Sequence, residues 1–286
     1  MRGKWAVLAV LVALVAGIAM GQAPAQMSVD PATMYCSGLV TTEAVPNDSY
    51  IISGEQSDPY FVFQANDLVY INRGSGQGVK VGDEYLVIRA VNDQLKQDWF
   101  HSQSELMRAM GQTWADIGRI RVLHADAKVS TAQIVSACEY MQRGDLIRPF
   151  VERPAPAFKP LSTMVDAFAP AKGKTGMLVT TKDFGQVAGN KAVVYVNLGS
   201  SQGLQVGSLI RFFRRQGDNR EYAYQTAGMQ DQVYGYGSSP ARYTWEGLPR
   251  DIVGEGIVVR VSNNSASVMI TATRHEIYVG DYAEVE

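Results

Sequence analysis

The sequence has little of what most reaction chemistry needs. Of its 286 residues two are cysteine and three are histidine. His101, His124 and His275 fall in separate segments, with no spacing suited to ligating a metal. A metal centre is therefore not expected. No paired carboxylates or nucleophile stand in a catalytic pattern, since the serine-containing stretches lack the strand, elbow and helix that expose a hydrolase serine. Neither a reaction nor a cofactor is expected, and an enzyme ranks last of three function classes. An excess of one charge is also missing. The 26 basic and 28 acidic residues leave −2, which argues against a nucleic acid or an anionic membrane surface as the main partner.

The apolar run from Trp5 to Met20 is shorter than the ~20 residues of a spanning helix. Arg2 and Lys4 precede it, and small residues around Gly21 and Ala23-Pro24-Ala25 offer cleavage sites. Residues 1–25 therefore read as an export signal, with an uncleaved anchor as the rival. Both place the rest outside the cytoplasm, periplasmic or secreted, and only the anchor would bring a membrane partner. In that compartment thiols oxidise. Cys36 and Cys138 both fall near the ends of the first repeat described below, and the first and last strands of a small closed barrel are commonly neighbours. A disulfide between them is expected, with two buried free thiols as the alternative.

What the chain does have is a stretch that occurs twice. Val69-Tyr70-Ile71-Asn72-Arg73-Gly74-Ser75-Gly76-Gln77-Gly78-Val79-Lys80-Val81-Gly82 returns 125 residues later as Val194-Tyr195-Val196-Asn197-Leu198-Gly199-Ser200-Ser201-Gln202-Gly203-Leu204-Gln205-Val206-Gly207, with nine of fourteen positions identical. The β-branched and aromatic start is strand composition, and Gly74, Gly78 and Gly82, like Gly199, Gly203 and Gly207, mark turns at φ that a side chain would penalise. Leu39-Val40-Thr41-Thr42 also returns, as Leu178-Val179-Thr180-Thr181, which implies fourteen extra residues before the first glycine corner.

The expected fold is all-β: two tandem small β-barrels from an internal duplication, over 34–150 and 172–286. Prolines 154, 156, 160 and 170 make 151–171 a semi-rigid linker that holds the barrels apart or at few angles, with Met164, Val165 and Phe168 docking part of it. Each barrel carries an insertion. In the first, Ser102-Gln103-Ser104-Glu105 reads as a capping box and Gly111 as the stop of a short helix over one barrel end. In the second, residues 214–250 form a long Tyr/Gly-rich loop.

Two patterns invite chemistry that their context denies. Gly74-x-Gly76-x-Gly78 is followed by strand residues, whereas a phosphate loop needs a helix N-terminus there. Arg143-Gly144-Asp145 spells an adhesion tripeptide, but Val81-Gly82-Asp83 and Val279-Gly280-Asp281 show Gly-Asp to be a turn entering a strand. The candidate binding residues are Tyr222, Tyr224, Tyr234, Tyr236, Tyr243 and Trp245 of the long insertion, whose rings could stack on sugars or pack on a protein. Equally, they could fold back to cover the barrel end.

The pattern Val-Tyr-Ile-Asn-x-Gly-x-x-Gln-Gly-Val-x-Val-Gly-Asp, a later Gly-x-Ile-x-Val and a final Gly-Asp-hydrophobic resemble the small β-barrel modules of bacterial envelope proteins. These include the C-terminal domain of flagellar assembly protein T and the barrels of the rod-shape-determining protein C family. The resemblance implies a non-enzymatic scaffold. The expectation is an exported assembly protein of the bacterial envelope acting on envelope proteins or peptidoglycan, with a carbohydrate-binding module that uses 214–250 as the alternative.

Overall fold

Short runs of β-branched and aromatic residues, each stopped by Gly, Asn or Asp, favour strands joined by tight turns. The structure, a computed structural model, describes residues 27–55, 61–94, 98–158, 165–215 and 249–286. Strand β1 (Met27–Ser28) and the short helix α1 (Pro31–Tyr35) come first. Strands β2 (Leu39–Thr41), β3 (Ile51–Gly54), β4 (Val62–Phe63), β5 (Leu68–Ile71) and β6 (Glu84–Val91) lead to helix α2 (Gln103–Met110). Then come β7 (Gln112–Ala125), β8 (Ser130–Ala137), β9 (Met141–Gln142), β10 (Leu146–Pro149) and β11 (Ala157–Phe158). The second half holds β12 (Thr175–Thr181), β13 (Val187–Ala188), β14 (Val193–Val196) and β15 (Leu209–Arg215). It ends with β16 (Arg250–Val261), β17 (Ala266–Thr273), β18 (Ile277–Tyr278) and β19 (Tyr282–Val285).

The second half closes into a barrel in the order β12-β14-β17-β16-β15-β19, with β19 returning to pair with β12. The first half forms a sheet in the order β10-β6-β7-β8-β5-β3, with β2 added on β7. Read from β3 to β10, its six strands follow one another as those of the barrel do. Its ends meet at a single bridge, Tyr50 to Leu146, reinforced by the Ile51 N–H on Asp145 O and the Gly144 N–H on Ile51 O. Pro149 has no N–H to extend this ladder, whereas Val285 near the end of β19 donates to Lys174 O. Two closed barrels were expected; the structure has one, and one sheet drawn nearly shut.

Alternation along the strands puts one apolar set inside each body. Val69, Val87, Ile120 and Ile134 centre the first core, and Val194, Phe212, Val258 and Ile270 the second. The glycine corners are alike in both. Gly78, Gly82, Gly203 and Gly207 have φ of 87°, 94°, 93° and 91°. Gly74 and Gly199 are extended and are glycine for another reason: a Cβ would stand 2.2 Å from Asp126 O or 2.3 Å from Asn263 O. A strand follows each corner.

Three expectations need correction. The repeated Leu-Val-Thr-Thr occupies different places, because β2 pairs with Gln112–Trp114 outside the curled sheet whereas Leu178–Thr181 lie in β12. The strand standing where β12 stands is β3. From Ile51 to its partner Ile71 is 71 − 51 = 20 residues, and from Leu178 to Val196 is 196 − 178 = 18, so two extra residues replace the fourteen. Helix α2 ends at Gly111 as read, but Ser102 sits at φ 70° and its side chain caps nothing; Gln103 Oε1 accepts the Trp99 N–H at 2.7 Å instead. Nor does α2 cover the first sheet. Phe100 enters the barrel's core, and Met110 packs with Val40, Val179 and Tyr195.

The linker does not hold the bodies apart. β11 pairs with β1, and Phe158, Val29 and Met34 pack on Ile257, Val259 and Met269 of the barrel. Phe168 does not dock, being 91% exposed; Ala169 is buried beside it, and Met164 lies outside the described residues.

Candidate functional site: the seam between the two bodies

Tyr222, Tyr224, Tyr234, Tyr236, Tyr243 and Trp245 all lie in 216–248, outside the described residues. What the described residues assemble is a seam around Ser37–Thr41. The Cys36–Cys138 disulfide, spanning 102 residues, fixes the segment's start. The bond is as expected, but its setting differs. Cys36 follows α1, outside the curled sheet, and Cys138 follows β8, so the bond ties an arm to the sheet, not its first strand to its last.

That arm gives its backbone to the barrel. Tyr195 Oη donates to Ser37 O at 3.0 Å, Ser267 Oγ to Gly38 O at 2.9 Å, Ser265 Oγ to Val40 O, and Ser262 Oγ to Thr41 Oγ1 at 2.8 Å. Gly38 must be glycine here: its φ is 64°, and a Cβ would meet the Tyr195 hydroxyl at 2.3 Å. Along its other edge the arm is paired with β7. Buried carbonyls left without these donors would each cost roughly 1–3 kcal/mol, so the hydroxyls on the barrel's outer face define where the arm lies.

Asp116 of β7 is the charged centre, 1% exposed. It accepts Arg260 Nη1 with both oxygens, at 2.8 and 2.9 Å, and the Gly38 N–H at 3.0 Å. Arg153 Nη2 stands 3.9 Å away, too far for a hydrogen bond. The Arg153 guanidinium lies over the Tyr35 ring, Tyr35 against Phe150, and Arg119 over Phe150, at 4.9, 5.2 and 4.7 Å between centres. Burial, then the charge of Arg260, holds the pKa of Arg153 below the usual arginine value, with Asp116 opposing. Burial first and the Asp116 charge second push the Tyr195 phenol up, which keeps it a neutral donor.

Inside each body a second Arg–Asp pair recurs. Arg89 binds Asp145 with Nε at 2.6 Å and Nη2 at 2.8 Å, and Arg214 binds Asp281 at 2.7 and 2.8 Å. Each aspartate also accepts a backbone N–H, from Gln142 or Tyr278, and each arginine lies over a tyrosine, Tyr140 or Tyr278. The hydrogen bond to Asp145 is the main reason the pKa of Arg89 is raised. Asp145 of the adhesion-like tripeptide is 2% exposed and held in this pair, so the tripeptide offers no free carboxylate.

Beside the seam, α2, the end of β6, the start of β7 and the turn after β12 enclose an open cleft of about 720 Å³. Phe184 on its wall has φ 58°, a left-handed conformation that costs a non-glycine residue roughly 1–2 kcal/mol.

Sequence reasoning missed Asp116, Arg260 and the serines. The signal was present in the closing halves: Asp116 pairs with Ile88, and the matching pair in the barrel is Ile252 with Phe213, so a buried carboxylate stands where the other body has an aliphatic side chain. Among the described residues no group of three or more His, Cys, Asp or Glu could hold a metal, and no helix is long and apolar enough to cross a membrane. No protein-family model matches the chain, and no curated protein matches it significantly.

Proposed function

We propose that the protein is an exported scaffold of the bacterial envelope, in which two bodies descended from one duplicated unit are fixed together so that their outer faces bind other envelope proteins at a set spacing. The recurring strand order and Arg–Asp pairs support the common descent, and the disulfide fits an oxidising compartment. The observation that carries the scaffold reading is the seam. A buried charge and five hydrogen bonds at one arm, four accepted from the barrel and one given to Asp116, hold the bodies in one arrangement, which an independent pair of modules would not need. The resemblance to envelope barrel modules points the same way.

Crosslinking in the native cell tests it. The intact protein should capture a small reproducible set of envelope proteins, and Asp116→Ala, which removes the charged tie between the bodies, should weaken capture of those that touch both. Capture of no envelope protein above a control of unrelated exported protein would end the scaffold reading. The second reading, a carbohydrate module, is favoured by the placement of 216–248. Arg215 and Arg250, which flank it, pair in the barrel ladder, so the insertion joins two neighbouring strands at one end of the barrel. Sugar-dependent thermal shifts lost on shortening that hairpin would support it.

A further inference from the structure

We infer that the cleft beside the seam is a binding site for a short neutral oligosaccharide, with Phe184 as the stacking platform. The inference is independent of the scaffold reading and concerns a different place from the 216–248 insertion. Three observations carry it. First, Phe184 closes a turn, its N–H donating to Thr181 O, in a left-handed conformation that a bulky side chain rarely takes. The next residue is glycine, so a relaxed turn lay within easy reach; a ring kept at a strained position on a cleft wall points to use of the ring.

Second, the polar groups are of both kinds. Gln112 Nε2 donates to Val91 O and Thr113 O, both at 2.9 Å, with Asn92 Oδ1 sharing a hydrogen at 3.3 Å, which fixes the amide and leaves Oε1 as an acceptor. Arg108 commits only Nε, to Ser104 O, and keeps its terminal donors, and Asp98 uses one oxygen on the Ser104 hydroxyl. Donors and acceptors around one ring and the Met107 side chain suit a polyol with an apolar face, whose hydroxyls each donate and accept.

Third, the β7 edge in the cleft is closed to a peptide. Gln112–Trp114 is paired with β2 on one side, and Thr113 and Trp114 are paired with β6 on the other. Val179 O, on the barrel side, is taken by Gln103 Nε2 at 2.7 Å. Strand addition to β7, the usual way to hold an extended peptide, is therefore closed, which favours recognition by side chains.

The test is titration of the full exported chain with a β-linked N-acetylglucosamine tetrasaccharide and a glucose tetrasaccharide, read by calorimetry and by melting temperature. At least one should bind, and Phe184→Gly should weaken that binding at least tenfold while the melting temperature of the free protein stays level or rises, because glycine removes the strain. Arg108→Ala, at an exposed position, should weaken binding without changing melting. The site is overturned if neither sugar binds, if Phe184→Gly binds as the parent does, or if binding disappears only on shortening 216–248. It is likewise overturned if a tetrapeptide binds and the sugars do not.

Discussion

The first sheet and the barrel share a frame and differ on their outsides. Corner glycines, the Arg–Asp pair and the apolar interior recur position for position. Outward positions do not. Asp116 faces the seam where the barrel has Ile252, and Ser265 and Ser267 of the barrel stand where the sheet has Val129 and Thr131. Tyr195 is buried against the arm, whereas its equivalent Tyr70 stays half-exposed. Residues that set backbone geometry are alike in both bodies, and residues that set contacts with neighbours differ, so the two bodies share a frame and not a surface.

The comparison breaks most visibly at the disulfide, which only the first body carries. Replacing both Cys36 and Cys138 by Ser should cost on the order of 4–5 kcal/mol, the chain-entropy expectation for a loop of about a hundred residues. Hydrogen exchange should show the arm and the first sheet losing protection while β14, β16 and β17 keep theirs. Equal loss in both bodies would mean that they unfold as one unit and that the bond does not act locally.

Asp116→Ala comes next. It leaves the Arg260 guanidinium and the Gly38 N–H without their acceptor, and about 3 kcal/mol is expected, the lower end for breaking a buried pair because Arg260 keeps some contact with water. Calorimetry should resolve one endotherm into two. Asp116→Ile, which copies the barrel's residue, should split it too; a single transition in both variants would show that apolar packing, not this carboxylate, joins the bodies. Smaller again are Arg89→Ala and Arg214→Ala, each of which strands a buried aspartate that retains a backbone donor. About 2 kcal/mol each is expected, and the two should be alike; a difference larger than the effect itself would mean that the matching geometry hides different surroundings.

How much of this was legible follows from what each residue does. The corners could be read because φ near 90° leaves glycine as the usual solution, and the disulfide because the two cysteines of the chain have only one another to pair with. Strands were legible from composition. The seam was not, because Ser262, Ser265 and Ser267 look like ordinary exposed turn and strand serines until an oxygen from 220 or more residues away, the Thr41 hydroxyl or a backbone carbonyl, meets them. Leu39-Val40-Thr41-Thr42 misled for a physical reason: a four-residue β-favouring string fits an edge strand and a barrel strand equally, and only pairing partners distinguish the two. Helix α2 was found by its glycine stop, but its destination lay in the barrel it covers, which local sequence does not encode. Proline content foretold an extended linker and said nothing of Phe158, whose burial depends on a surface supplied by β16 and β17.

The finest prediction sits where one body has solved a backbone problem that the other has not. Asn66 and Lys191 occupy the same turn, each donating its N–H to the strand beside it, Asn66 to Ile134 O and Lys191 to Ile270 O. Both are left-handed, at φ 77° and 67°. Asparagine tolerates that conformation because its short amide can hydrogen-bond locally, whereas lysine pays the full steric penalty. Lys191 is exposed, and among the described residues its ammonium makes no ion pair. Lys191→Asn should therefore stabilise the barrel by about 0.5–1 kcal/mol, read as a rise in the denaturant midpoint with an unchanged slope, and Asn66→Lys should destabilise the first sheet by a similar amount. If Lys191→Asn were neutral while Asn66→Lys still cost stability, the two turns would not be equivalent, and the position-for-position match between the bodies would fail at the place where it makes its most local claim.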